Sequence, residues 1–254
     1  GILVHHQQAA LRTQAFQHAA RMDDVQGVGG ALVPGQAVHP VEIGADDAVL
    51  SGGERGHGIE AVRASTKSCK DHGLKICYHI MPGLPGSSPE NDLACFRRSF
   101  DDPDFRPDML KFYPALVIAG TKLCDMWERG EYIPMDVETA TELLSQMKAE
   151  VPEYVRIQRI QRDIPVPQIT AGILKSNIRQ LVQERMEATG RKCRCIRCRE
   201  VGHTDAVLED EAKVVKKSLV YEASGGREHF ISMEYGDSII GYVRVRIDAS
   251  PAAT

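Results

Sequence analysis

Three observations predict an α/β chain built from a parallel layer, a thiol-rich hinge and an antiparallel segment. Helical and strand periods alternate from Gly58 to Ile160, the order that builds parallel sheets with binding groups at the C-terminal strand ends. Between Arg191 and His203 three cysteines crowd into a run of arginines. Beyond Leu219 apolar and polar residues alternate, as they do in half-buried antiparallel strands.

The elements follow in order. A helix through Ile59, Val62 and Cys69 stops at Gly73, and the apolar run Lys75 to Ile80 is a strand. Pro82-Gly83-Leu84-Pro85-Gly86 makes a turn at its C-terminal end, and Ser88 caps the next helix with proline at the first helical position. Met109 to Tyr113 is the next strand. A short helix over Lys122 to Arg129 ends at Gly130, and a longer one from Asp136 aligns Val137, Ala140, Leu143, Leu144 and Met147 on one face. Tyr154 to Ile160 is a strand, and Ser176 is expected to cap a helix through Ile178, Leu181, Val182 and Met186 that ends at Gly190. Leu219 to Ala223, Glu228 to Glu234 and Ser238 to Ile247 read as strands, the last two joined by a Gly236-Asp237 hairpin turn. Tyr221, Phe230 and Tyr235 are expected to pack in that sheet. The first fifty residues hold no lysine and show no sustained period beyond an amphipathic stretch at Gln7 to Arg21, so 1–53 is expected to fold poorly. Gly1 stands where methionine would start a chain, which suggests a fragment or an imperfect gene reading.

The 254 residues carry a net charge of −4 and 43% hydrophobic side chains, enough for one large or two smaller domains. That balance excludes general coating of nucleic acid, so any RNA contact must come from local basic patches. No run of about 18 apolar residues and no signal pattern occurs, so a cytoplasmic protein without a membrane role is expected. Seven cysteines, three bunched, suit a reducing compartment and metal use better than a disulfide scaffold.

Cys193, Cys195 and Cys198 form Cys-x-Cys-x-x-Cys, which holds three sulfurs within one turn of backbone for a borderline cation such as zinc. His203 is the nearest candidate for a fourth, closing ligand, which would make the site structural; the alternative is three unmetallated thiols. Arg156, Arg159, Arg162, Lys175, Arg179, Arg191, Lys192, Arg194 and Arg197 make a local cationic excess that suits an RNA backbone or, alternatively, a solvated face.

Several stretches together resemble the catalytic subunit of Elongator, a family of tRNA uridine-34 acetyltransferases that joins a radical-SAM domain to a GNAT-type acetyltransferase domain. They are Lys75-Ile76-Cys77-Tyr78-His79-Ile80-Met81-Pro82-Gly83-Leu84-Pro85-Gly86-Ser87, Leu110-Lys111-Phe112-Tyr113-Pro114, the segment from Arg156 to Pro165, Lys175-Ser176-Asn177-Ile178-Arg179, the cysteine knuckle and Tyr221-Glu222-Ala223-Ser224-Gly225-Gly226. The resemblance covers Glu54 to Ile247, with a fainter echo at Val41-Glu42-Ile43-Gly44.

The resemblance implies a partial TIM-like radical-SAM barrel over 54–175, a basic zinc-binding linker over 176–218 and the first strands of a GNAT domain over 219–254. It implies S-adenosylmethionine, an iron-sulfur cluster and acetyl-CoA as cofactors of the intact enzyme, which places a carboxymethyl-type group on the wobble uridine. Partners would be tRNA and a second copy or other Elongator-type subunits. Two departures stand out. Only Cys69 and Cys77 precede Met81, at the wrong spacing for the family's cluster triad, and the acetyl-CoA loop would lie past Thr254. The chain is therefore expected to be inactive alone, with a noncatalytic RNA-binding fragment or an unstable gene product as alternatives. In such a barrel His79, Met81 and Gly83 would border the adenosylmethionine site, or His79 is simply a strand histidine and the glycines serve the turn. Lys111 and Tyr113, opposite Phe112 on their strand, would meet an anionic cofactor group, or Lys111 pairs with an acid such as Asp108.

Overall fold

The computed structural model describes residues 36–39, 58–160, 164–204, 206–207 and 209–248. The expectations for Gln7 to Arg21, for the echo at 41–44 and for Arg162 lie outside the described residues. Strands β1 (Gln36–His39), β2 (Lys75–Ile80), β3 (Met109–Phe112) and β5 (Arg156–Ile160) form one parallel sheet in the order β1-β2-β3-β5. Segment 1–53 thus contributes an edge strand despite its weak pattern, because a four-residue pairing is decided by the free edge of β2 more than by its own period.

The crossovers are helices α1 (Ile59–Asp71), α2 (Pro89–Asp101) and α4 (Val137–Ala149), with the short α3 (Lys122–Glu128) before α4. Their starts are fixed locally. Ser88 Oγ accepts from Asn91 N, Thr121 Oγ1 from Cys124 N, and Asp136 Oδ1 from Glu138 N and Thr139 N, each relieving amide groups that a helix start leaves orphaned. The strand order advances without reversal, so right-handed crossovers stack the helices on one face. Ile76, Tyr78, Ile80, Leu110, Phe112, Ile157 and Ile160 bury against that helical layer with Leu93, Phe96, Leu144 and Met147, each full burial contributing about 1.5–3 kcal/mol. The other sheet face carries Cys77 and Met109 as a separate small cluster.

A satellite unit forms from segments on either side of β5. Strands β4 (Val117–Ile118) and β6 (Ile169–Ala171) pair antiparallel, and Val117, Cys124 and Tyr132 bury beneath Leu123, Met126 and Trp127. Helix α5 (Ile178–Ala188) then buries Ile178, Val182 and Met186 at helical spacing and packs on α4. Its N-cap is Asn177 rather than the expected Ser176, without a side-chain capping bond; burial of the apolar stripe, rather than capping, holds its start.

The knuckle contains a one-turn helix, α6 (Ile196–Arg199), that periodicity did not reveal. Strands β7 (Val214–Ala223), β8 (Gly226–Tyr235) and β9 (Ser238–Asp248) follow as an antiparallel sheet. β7 begins five residues before its expected start because Val214 to Ser218 pair with Tyr235 to Ile231 even though their side chains are mostly exposed. Its turns are two residues each; Ser224 (φ 49°) and Gly225 (φ 76°) both take the left-handed region, which matches strand twist. One face of this sheet lies on the parallel layer. Tyr221 stacks on Tyr154 at 3.9 Å between centroids and Ser224 N donates to Pro103 O, so Tyr221 and Phe230 join the main core as expected. The outer face leaves Val220, Met233, Val243, Val245 and Ile247 exposed.

Beneath the antiparallel sheet, at the end of α1 and the start of β3, lies a nest of charge. Lys70 is 2% exposed, Asp108 4% and Glu228 3%. Lys70 Nζ reaches Asp108 Oδ1 at 3.2 Å and Glu228 Oε1 at 3.4 Å, Arg244 also binds Asp108, and Arg246 bridges Glu228 (3.2 Å) and Asp71 (2.6 Å). Asp108 Oδ2 also accepts from Ile76 N at 2.7 Å. Asp108 is thus committed to Lys70 and Arg244, and the alternative of a Lys111–Asp108 bridge is replaced by this network.

Candidate functional site

The C-terminal ends of the parallel strands gather the first group of candidate residues. Parallel register sets His79 beside Lys111, and the His79 and Tyr113 rings meet edge to face at 5.2 Å. Phe112 points the other way, into the core, as strand alternation requires. Two backbone bonds carry the pairing beyond β2: Tyr113 N donates to Ile80 O (2.8 Å) and Ala115 N to Pro82 O (2.9 Å). Met81 and Gly83 therefore sit on the turn directly above this polar group.

Further residues belong to the same face. The Cys77 thiol donates to Gln158 Oε1 at 3.8 Å, and Gln158 Nε2 contacts Met109 Sδ at 2.8 Å; burial pushes the Cys77 thiol up to about 12. Arg159, expected among RNA-facing arginines, lies in register with Lys111, and its charge reaches Tyr113, whose phenol burial raises. A register shift between Leu110 and Lys111 produces this placement, and no sequence period announces a bulge. The donor set of cation, imidazole, phenol and amide at the strand ends suits a small ligand with a carboxylate and a heterocycle, and in that respect fits S-adenosylmethionine.

The turn itself is clamped. Gly83 has φ +85°, and a Cβ there would meet Met135 Cβ at 3.3 Å. Its N–H donates to Asp92 Oδ2 (2.8 Å), its carbonyl accepts from Tyr132 Oη (2.6 Å), and Ser87 Oγ donates to Asp92 Oδ1 (2.6 Å). Burial raises the Asp92 carboxyl above its usual range and, with the Asp92 charge assisting, pushes the Tyr132 phenol up to about 12. Neither residue is visible as a site residue in the sequence, since their common partner is a backbone 9 and 49 positions away.

The second group is the knuckle. The Sγ atoms of Cys193, Cys195 and Cys198 lie within 4.8 Å of one another; sulfurs around tetrahedral zinc sit about 3.8 Å apart, given Zn–S bonds near 2.3 Å. Hydrogen bonds from the neighbouring thiols and from the amides of Ile157 and Cys198 hold the Cys195 thiol below its ordinary range, while the same crowding pushes Cys193 up, so Cys195 is the first of the three to give up its proton. A hydrogen bond with Cys193 favours the Cys198 thiolate, but the bond with Cys195 and burial push the Cys198 thiol up overall, against the charge of Lys148, which is buried on α4. The donor set fits zinc with three protein sulfurs. His203 is not in the group: its Nε2 turns to Glu200 Oε1 at 3.0 Å. No other group of three His, Cys, Asp or Glu ligands gathers among the described residues.

The basic residues divide. Arg156 is held by Glu200 (2.9 Å), Arg191 by Glu142 (2.8 Å) and Ser145, and Arg194 by Glu153 (2.5 Å) and Asp237 (2.9 Å). Arg199, 2% exposed, forms ion pairs with Glu234 at 2.5 Å and Glu153 at 3.2 Å. These arginines bind the knuckle to the layers on either side. Arg197 is partly buried, while Lys175, Arg179 and Lys192 are exposed.

Comparison with known proteins places these groups in context. Residues 107–188 match the Radical_SAM C-terminal domain. The chain is 48% identical over 203 residues to a protein of Methanocaldococcus infernus named tRNA uridine(34) acetyltransferase, covering 78% of this chain and 38% of the relative. It is 41% identical over 197 residues to Elongator complex protein 3 of Dictyostelium discoideum, covering 76% of this chain and 35% of that one. A solved structure of the archaeal Methanocaldococcus infernus Elp3 with an N-terminal deletion superposes with a TM-score of 0.81 at 45% identity, over 85% of this chain and 52% of that chain. The chain thus spans well under half the length of these curated relatives.

Proposed function

The chain is homologous over most of its length to the tRNA uridine(34) acetyltransferases and to Elongator complex protein 3, and on that premise we propose that it carries the cofactor-facing strands, the metal hinge and the tRNA-contacting surface of an enzyme that modifies the wobble uridine of tRNA. The singly wound parallel sheet is then a segment of a radical-SAM barrel, and β7 to β9 are the opening strands of an acetyltransferase unit. The observation that carries this reading is the meeting of His79, Lys111 and Tyr113 under the Gly83 turn at the strand ends.

In the intact enzyme S-adenosylmethionine, with its iron-sulfur cluster, supplies radical chemistry when bound. This chain's residues position the ligand. The Lys111 ammonium offers a counter-charge to a carboxylate, His79 and Tyr113 present an edge-to-face aromatic wall, and Gln158 offers an amide from the sheet face. Cys193, Cys195 and Cys198 would hold a zinc ion whose role is structural, fastening the hinge. Lys175, Arg179 and Lys192 are the basic residues best exposed to phosphates; Arg156, Arg191 and Arg194 serve mainly the hinge.

Titrating the purified chain with a tRNA anticodon stem-loop at several salt concentrations tests the RNA part. Affinity should fall steeply with salt, and the double variant Lys175→Ala, Arg179→Ala should lower the log–log slope by about 1 per residue. Arg194→Ala should leave the slope nearly unchanged. Association that ignores salt would sink the reading. Assaying acetyl-CoA hydrolysis on the same sample separates an enzyme from a binding module.

A further inference from the structure

We propose that Asp92 and Tyr132 are positioning residues for the cofactor, clamping both polar groups of the Gly83 peptide so that the turn above His79 and Lys111 is set before a ligand arrives. The inference rests on the reading that this turn borders the adenosylmethionine site, and it adds two residues that no strand-end pattern reveals.

The geometry is unusual in its completeness. A turn at a strand end ordinarily leaves its amides and carbonyls to solvent, and is mobile for that reason. Here the Gly83 N–H is committed to Asp92 Oδ2 and the carbonyl to Tyr132 Oη, while the remaining carboxylate oxygen fixes Ser87 on the far side of the turn. The two clamps come from separate elements. Asp92 belongs to the first turn of α2, whose start is capped by Ser88. Tyr132 belongs to the satellite unit and is anchored with Val117 and Cys124 in its own small core. Met135 closes the remaining side of Gly83.

A hydrogen bond between a neutral amide and a half-buried carboxylate, and another from a buried phenol, hold φ at a value that side-chain-bearing residues rarely take. The peptide plane is therefore oriented from both ends, and the neighbouring backbone between Met81 and Ser87 inherits that orientation. Preorganisation of this kind lowers the ordering cost of binding without a contact to the ligand.

The test uses the full zinc-loaded chain and S-adenosylhomocysteine as the probe, with binding followed by calorimetry and Gly83 amide exchange by NMR. Asp92→Ala and Tyr132→Phe should each weaken binding about tenfold and speed Gly83 exchange to a similar degree, with the melting temperature of the main core little changed. Asp92→Asn keeps an acceptor for Gly83 N–H and can replace the hydrogen bond that Ser87 Oγ donates to Asp92 by one that its own Nδ2 donates to Ser87 Oγ, so it should recover most of the affinity and protection. Folded variants that bind the probe as tightly as the parent would overturn the positioning role. A parent chain that does not bind the probe while its Gly83 amide is protected would instead overturn the cofactor-site reading, and an unprotected Gly83 amide in the parent would remove the clamp itself.

Discussion

At the scale of single residues, the hinge turns on Cys195. Its sulfur accepts from two thiols and two backbone amides, which favour its thiolate, and Cys193 and Cys198 complete a soft three-sulfur face beside buried Lys148. Cys195→Ser removes the most strongly held sulfur. Zinc content, measured by elemental analysis of reduced protein, should fall from about one per chain to near zero, and the melting temperature should drop with it. A metal at about a thousandfold excess over its dissociation constant stabilises by about 4 kcal/mol, and chelation of the parent chain should reproduce that loss. His203→Ala should leave zinc content unchanged, since His203 is paired with Glu200.

At the scale of elements, the contact between the parallel layer and the antiparallel sheet is electrostatic at its centre. Removing one partner of a buried pair leaves an uncompensated charge and costs about 3–5 kcal/mol, but the cost depends on which partner goes. Asp108→Asn leaves Lys70 and Arg244 crowded together, and unfolding by denaturant should show that full loss. Lys70→Met leaves Asp108 with Arg244 and Glu228 with Arg246, and should cost less than about 1 kcal/mol or stabilise. The two variants also differ in pH response. Burial lowers the Lys70 ammonium from 10.5 to about 8. Between those values the unfolded chain keeps a proton that the folded chain has released, so this group makes stability rise with pH from about 8 to 10.5 and contributes its whole penalty below 8. Lys70→Met should remove that rise from the stability profile, and a profile unchanged by the substitution would refute the assignment.

At the scale of the whole molecule, one hydrophobic cluster runs from Val62 on α1 through the parallel strands to Ile196 in the knuckle and Phe230 and Ile239 in the antiparallel sheet. No boundary divides that core. Thermal unfolding should therefore be a single transition, with near- and far-ultraviolet circular dichroism coincident and calorimetric and van't Hoff enthalpies equal. Broad or separated transitions would mean that the sheet of β7 to β9 docks without sharing the core. Among the described residues no helix is long and apolar enough to cross a membrane.

The sequence by itself determined the local features: the helix capped by Ser88, the helix starting at Asp136, the strand from Lys75 to Ile80, the Gly83 turn and the close spacing of Cys193, Cys195 and Cys198. These rest on periods, caps and spacings within a few residues, where chain geometry leaves little choice. Partnership was decided only in three dimensions. Lys70 meets Asp108 and Glu228 across 38 and 158 positions, Arg156 is held by Glu200, Arg159 joins the strand ends through a bulge, and Asp92 and Tyr132 converge on one peptide group. A charge or hydrogen-bonding group has the same local signature whether it faces solvent, phosphate or a buried partner, because its energy depends on neighbours that only the tertiary fold brings within reach.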